Sequence, residues 1–146
     1  MAMQTCGRSF GMAIAIHAIV RAPLAPFSDA GGMAVCGIES RGFLPGGAAA
    51  LELGVGFVAA RKAGGMFRGE KLARKTEPDH RGIRHSLRIQ RASLDQGDRV
   101  LLVDDWIETG SQALAVWDLL SAVKNFQTLD RVVPALHRLR RLTSAA

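Results

Sequence analysis

Two adjacent carboxylates, Asp104 and Asp105, close the apolar run 100–103, and a short step later come Thr109, Gly110, Ser111 and Gln112. A buried strand ending on two acids delivers them to the C-terminal edge of a sheet, where ligands bind in open α/β folds. Small and hydroxylic residues at the start of a helical pattern (Ala113, Val116, Trp117, Leu120, Val123) present free backbone N–H groups and a positive dipole end, which suit a phosphate. Together they suit a sugar phosphate: the acids accept hydrogen bonds from ribose hydroxyls while the loop holds the 5′-phosphate. Either half alone is an ordinary acidic turn or helix cap, so the signal lies in the ordered combination.

These residues need a scaffold, and the rest of the chain supplies one. Residues 33–38 form an apolar run suited to a buried strand. Residues 43–53 read as a helix, with Pro45 tolerated in its first turn and Gly54 suited to its end. Residues 55–60 are a second buried-strand candidate, and 85–89 alternate as a half-exposed strand. From 61 to 81 apolar residues are few, which predicts a long mobile loop; such loops are commonly functional. The run 12–20 could be helical, stopped soon after by Pro23 and Pro26, and Val132 and Val133 are strand-like. Strands alternating with helices predict one α/β domain over residues 1–146, with a largely parallel sheet flanked by helices.

Charge is concentrated. The 146-residue chain carries a net +6, yet residues 61–91 hold ten Lys/Arg against Glu70, Glu77 and Asp79, a net +7. Such a block implies a polyanionic partner, either nucleic acid or a small phosphorylated molecule.

With these residues in view, the sequence resembles the type I phosphoribosyltransferases, whose signature is an apolar strand, two acids and a Thr-Gly-rich phosphate loop. Gly37-Ile38-Glu39-Ser40-Arg41-Gly42-Phe43 resembles the first pyrophosphate-binding loop of the adenine phosphoribosyltransferases, and Arg61-Lys62 their second. The resemblance runs from about residue 35 to 120, with a reduced or divergent N-terminal hood and C-terminus. It implies transfer of the 5-phosphoribosyl group from phosphoribosyl pyrophosphate to a purine, adenine first, releasing pyrophosphate. Asp104 and Asp105 would bind the ribose hydroxyls, and with Arg41 they form the catalytic set. Glu108, Thr109, Gly110, Ser111 and Gln112 would wrap the 5′-phosphate. Glu39, Ser40 and Arg41 would meet the pyrophosphate, in a loop the family often holds with a non-proline cis peptide, and Arg61 and Lys62 would add charge.

The resemblance also implies Mg2+ carried in by the substrate, with Asp104 and Asp105 as its protein contacts, and a lid over residues 63–84 whose carboxylate is Glu77 or Asp79. It implies a cytoplasmic purine-salvage enzyme without membrane or nucleic-acid partners, and leaves room for a homodimer. The phosphate loop, usually Thr-Gly-Gly-Thr in the family, reads Thr109-Gly110-Ser111-Gln112 here. From another class, the rival reading is a weak or inactive phosphoribosyl pyrophosphate-binding regulator associated with nucleic acid. Only Phe67 is aromatic in the basic block, whereas single-strand binders interleave aromatics.

Other motifs fall away. Gly54, Gly56 and Ala59 spell a dinucleotide fingerprint but precede a strand instead of following one. Cys6 and Cys36 have no zinc or disulfide-framework spacing and read as free thiols. His80 and His85 read as solvated or substrate-facing, not metal-bound. Trp117 reads as core, and Trp106 as core or pocket lining. The run 12–20 is too short for a membrane span, which needs about 20 residues, and only loosely imitates a secretion leader.

Overall fold

The computed structural model describes residues 20–27, 33–64, 68–79, 81–95, 98–105, 110–122, 127–128 and 133–134. Its elements are β1 (Met33–Ile38), α1 (Phe43–Leu53), β2 (Gly56–Lys62), β3 (Lys71–Lys75), β4 (Ser86–Gln90), β5 (Arg99–Asp104), α2 (Ser111–Ser121), β6 (Gln127–Thr128) and β7 (Val133–Pro134). Short 3-10 turns occupy Ala25–Phe27 and Arg91–Ser93, the first continuing a helical segment over 20–24 that includes Pro23. The rest of the 12–20 run, Cys6, His80, Trp106, Glu108 and Thr109 lie outside the described residues.

The sheet runs β3-β4-β2-β1-β5-β6, with β7 also paired to β5. At its centre β1 is parallel to both β2 and β5, while β6 and β7 run parallel along the other edge of β5. β4 is antiparallel to β2 and to β3, so a hairpin extends the parallel core on one side.

Both faces of the central strands are apolar because both are covered. Cys36, Ile38, Val58, Leu87, Ile89, Val100 and Leu102 pack on one face against Val116, Leu119 and Leu120 of α2. Val35, Leu101 and Val103 point to the opposite face, against Ala49 and Ala50 of α1 and Val20, Leu24 and Phe27. Burying each large aliphatic side chain stabilises the fold by about 1.5 to 3 kcal/mol. Trp117 is half-buried, outside the centre of the core. α1 starts at Gly42 and ends in a left-handed Gly54 (φ 65°); Val55 N–H donates to Ala50 O at 3.0 Å and Gly54 N–H to Leu51 O at 3.2 Å. These two bonds satisfy carbonyls that the last turn leaves open.

The stretch 61–81 departs from the sequence expectation of a long loop. β2 continues through Arg61 and Lys62, and Lys71–Lys75 form a strand in full register with β4. Leu72 is the one large apolar side chain in β3, packed on the α2 side, and Arg74 reaches Asp118 of α2 at 2.8 Å. Backbone pairing to β4 holds this strand, and its side chains alone carry no strand pattern.

Candidate functional site

Parallel strands bring their C-terminal ends to one edge, and there the chain gathers four segments: the β1–α1 turn, the end of β2, the end of β5, and the start of α2. Asp104 and Asp105 stand at this edge, 9% and 6% exposed. The Asp105 N–H donates to Asp104 Oδ1 at 2.9 Å. Burial pushes the Asp104 carboxyl up to about 7; the Asp105 N–H opposes the rise, the Asp105 charge adds to it, and Lys62 pulls against it. Arg41 Nε lies 3.3 Å from Asp105 Oδ2 and ties the β1–α1 turn to the carboxylates.

The turn itself is clamped to β2. Glu39 N–H donates to Ala60 O at 2.8 Å, and Glu39 Oε2 accepts the Lys62 backbone N–H at 2.6 Å. Glu39 Oε1 lies 3.7 Å from Arg61 Nη2. Both carboxylate oxygens of Glu39 thus face the end of β2, while Ser40 and Arg41 are exposed at the turn. The Glu39–Ser40 peptide is cis, as the resemblance implied.

Two glycines set the spacing. A Cβ on Gly42 would sit 2.6 Å from Asp104 Oδ1, 2.6 Å from Ile38 O and 2.9 Å from Ile38 N. A Cβ on Gly37 would sit 2.6 Å from Gly42 O and 3.0 Å from the Phe57 ring. The start of α1 therefore approaches β1 and β5 closely enough for its backbone to touch the carboxylate. Sequence reasoning places both glycines inside a motif but misses this role. Their position on either side of the Ile38–Arg41 segment was the available signal, since glycine permits close backbone approach.

Of the residues proposed from sequence, Glu39, Ser40, Arg41, Arg61, Lys62, Asp104 and Asp105 gather at this edge. Gly110 caps α2 in a left-handed conformation (φ 77°), Ser111 is buried as the first helical residue, and Gln112 is half-exposed. Of the lid carboxylates, Glu77 is 80% exposed and pairs with Arg84 at 3.4 Å. Asp79 is turned into its own loop, its Oδ1 accepting the N–H groups of Arg81 and Ile83, each at 2.9 Å.

The raised Asp104 carboxyl has a consequence for stability. The folded state holds this proton more tightly than the unfolded chain, whose value is near 3.8. Stability from this group is therefore full below about pH 4 and is lost as pH rises to about 7. Asp104→Asn, neutral throughout, removes that fall. Melting temperatures from pH 4 to 8 are expected to show the variant gaining on the wild type as pH rises; a difference that does not vary with pH would contradict the buried, proton-holding state.

No family model matches the chain. It is 43% identical over 113 residues to an adenine phosphoribosyltransferase of Nocardioides sp., a match covering 73% of this chain and 58% of that protein. The chain thus spans little more than half the length of the curated relatives it matches. Among solved structures, adenine phosphoribosyltransferase of Saccharomyces cerevisiae, complexed with an imino-altritol bisphosphate and adenine, superposes with a TM-score of 0.72 at 33% identity, covering 82% of this chain and 68% of the yeast chain. The Trypanosoma brucei enzyme, in complex with AMP, pyrophosphate and ribose-5-phosphate, gives a TM-score of 0.75 at 28% identity, covering 86% of this chain and 53% of that one.

Proposed function

Because the chain belongs to the adenine phosphoribosyltransferase family, of type I phosphoribosyltransferase fold, we propose that it transfers the 5-phosphoribosyl group of phosphoribosyl pyrophosphate to adenine, a salvage reaction that recovers a free purine. The observation that carries this reading is the pair of buried carboxylates, Asp104 and Asp105, tied through Arg41 to the Glu39–Ser40–Arg41 turn. Asp104 and Asp105 accept hydrogen bonds from the ribose hydroxyls, which also favour the charged form of Asp104. Glu108, Thr109, Gly110, Ser111 and Gln112 hold the 5′-phosphate at the start of α2, where backbone N–H groups and the helix dipole favour an anion.

Pyrophosphate is met by Ser40 and Arg41 with the charges of Arg61 and Lys62, and Glu39 acts by fixing the Lys62 backbone beside that turn. Catalysis by such a site is positioning plus stabilisation of the departing charge. Two adjacent carboxylates suit Mg2+ brought in on phosphate oxygens, since magnesium is usually held by one or two carboxylates together with substrate phosphates. Asp104 and Asp105 would hold such an ion, which would supply shielding of the pyrophosphate charge.

A single domain in the cytoplasm accords with the free, buried Cys36 thiol. Among the described residues, no helix is long and apolar enough to cross a membrane. Leu44 and Leu51 of α1 and Phe57 of β2 leave apolar surface exposed, which a second copy would cover.

Incubation with Mg2+, phosphoribosyl pyrophosphate and each nucleobase in turn is expected to release pyrophosphate with adenine. Tight binding with no release for any base would leave a sensor instead. Arg41→Ala is expected to weaken pyrophosphate by about 10- to 100-fold, the scale of a charge-assisted hydrogen bond, and ribose 5-phosphate much less. Equal losses by calorimetry would remove Arg41 from the leaving-group site.

A further inference from the structure

Alternation along β2, β4 and β3 sorts their side chains onto two faces. Val58 and Ala60 of β2, Leu87 and Ile89 of β4 and Leu72 of β3 all belong to the core under α2. Arg61, Arg88 and Ala73 alternate with them and therefore leave the sheet on the other face. These three are also in register: Arg61 stands opposite Arg88, and Arg88 opposite Ala73. The apolar cluster under α1 lies on that face and takes no member from β3 or β4.

Like charges directly opposite each other destabilise a strand pair, because the two Cβ atoms lie only about 4.5 to 5.5 Å apart. Neighbouring arginines are answered locally: Arg74 pairs with Asp118, Arg84 with Glu77, and Arg91 donates to Leu94 O. Arg88 is half-buried, and among the described residues its side chain has no hydrogen bond or ion pair. Beside it, Arg61 Nη2 lies 3.7 Å from Glu39 Oε1. One carboxylate thus faces two guanidinium groups, and the excess positive charge sits next to the Glu39–Ser40–Arg41 turn. Both arginines leave adjacent strands in the same direction, so an anion held by Arg61 lies within the span of Arg88.

We propose that Arg88 is a further pyrophosphate-binding residue: with Arg61 it clasps the pyrophosphate group, in substrate and product alike, from the β4 side of the site. This rests on the transferase reading above and adds a residue outside the motifs that carry the family resemblance. Phosphate oxygens accept charge-assisted N–H bonds from both guanidinium groups, whose planar forks suit phosphate as the point charge of a lysine does not. The bound anion also offsets the repulsion between the two arginines, so the pair is favourable when the anion is present and unfavourable when it is not. Because Arg88 holds the same group before and after bond cleavage, its loss appears in KM and leaves kcat undiminished.

The test sets calorimetric affinities for pyrophosphate with Mg2+ and for ribose 5-phosphate beside the kinetics of pyrophosphate release from phosphoribosyl pyrophosphate and adenine. Arg88→Gln is expected to weaken pyrophosphate about tenfold, the scale of one hydrogen bond to a charged group, and ribose 5-phosphate by less than about twofold. KM for phosphoribosyl pyrophosphate should rise by a similar factor with kcat not lowered. Without ligand the same variant should melt at or above the wild-type temperature, since one of two facing charges is gone. Arg88→Lys, which keeps the charge without the fork, should fall between the two. Lys71→Gln removes a charge from the same face at the level of Gln90, two positions along the ladder from Arg88, and should leave pyrophosphate affinity within about twofold. Unchanged pyrophosphate affinity in Arg88→Gln, an equal loss for ribose 5-phosphate or in Lys71→Gln, or a loss accompanied by a lowered melting temperature overturns the role of Arg88 and leaves the transferase reading standing. A wild-type protein that binds pyrophosphate through Arg88 yet releases none with any base overturns the transferase reading and leaves the anion site.

Discussion

Replacing Asp104 and Asp105 together by asparagine is expected to weaken phosphoribosyl pyrophosphate binding by at least about 100-fold while the domain stays folded. Each carboxylate can accept a ribose hydroxyl, and a hydrogen bond to a charged group contributes about 1.5 to 3 kcal/mol, so losing two amounts to roughly two to four powers of ten in affinity. The fold survives because asparagine has the same shape, and the exchange removes two neighbouring acids that disfavour each other's charge. The ion pair lost with Asp105 involves Arg41, whose side chain is 53% exposed, so its contribution to stability is small. Calorimetry together with a melting curve checks both halves of the expectation. Affinity within twofold of wild type would end the assignment of this edge as the ribose site.

Gly42→Ala should act in the opposite way, through the fold. The new methyl would meet the Ile38 backbone and the Asp104 carboxylate at distances no real Cβ adopts, and neither neighbour is the free end of a flexible chain. Forcing atoms into a filled site costs about 1 to 3 kcal/mol, which for a chain of this size lowers the melting temperature by about 5 to 10 °C. The displaced α1 start also moves Arg41 away from Asp105, so ligand affinity should fall with stability. Gly47, inside the same helix with nothing within 4 Å of the place a methyl would take, is the control. There Gly47→Ala should stabilise by about 0.5 to 1 kcal/mol, the helical preference for alanine over glycine. A melting temperature for Gly42→Ala equal to that of wild type would mean that the close approach of α1 to β1 and β5 is not a constraint.

The central strands and both helices were legible because their apolar patterns are local. Residues 33–38 and 43–53 have the bounds expected from sequence, and Asp104 and Asp105 follow their strand as the motif required. β3 was illegible for a physical reason: four of its five residues are exposed, and its pairing with β4 joins segments separated by a loop. The role of Gly42 was hidden because it depends on which atoms approach the glycine across the fold. The contact of His85 Nε2 with Asp79 Oδ2, at 3.3 Å, was hidden likewise, since it depends on a turn that the Asp79 carboxylate helps to close.

Among the described residues, β3 also ends the sheet. Its outer edge has unpaired backbone N–H and C=O groups, the kind of margin onto which an extended segment from another molecule can zip. Lys71 and Lys75 put positive charge at the two ends of that margin, so two copies approaching edge to edge repel each other before their backbones meet. The same residues that make this side of the molecule basic therefore guard it against polymerisation, and the guard weakens as salt screens it over about 10 Å at 0.1 M and about 3 Å at 1 M.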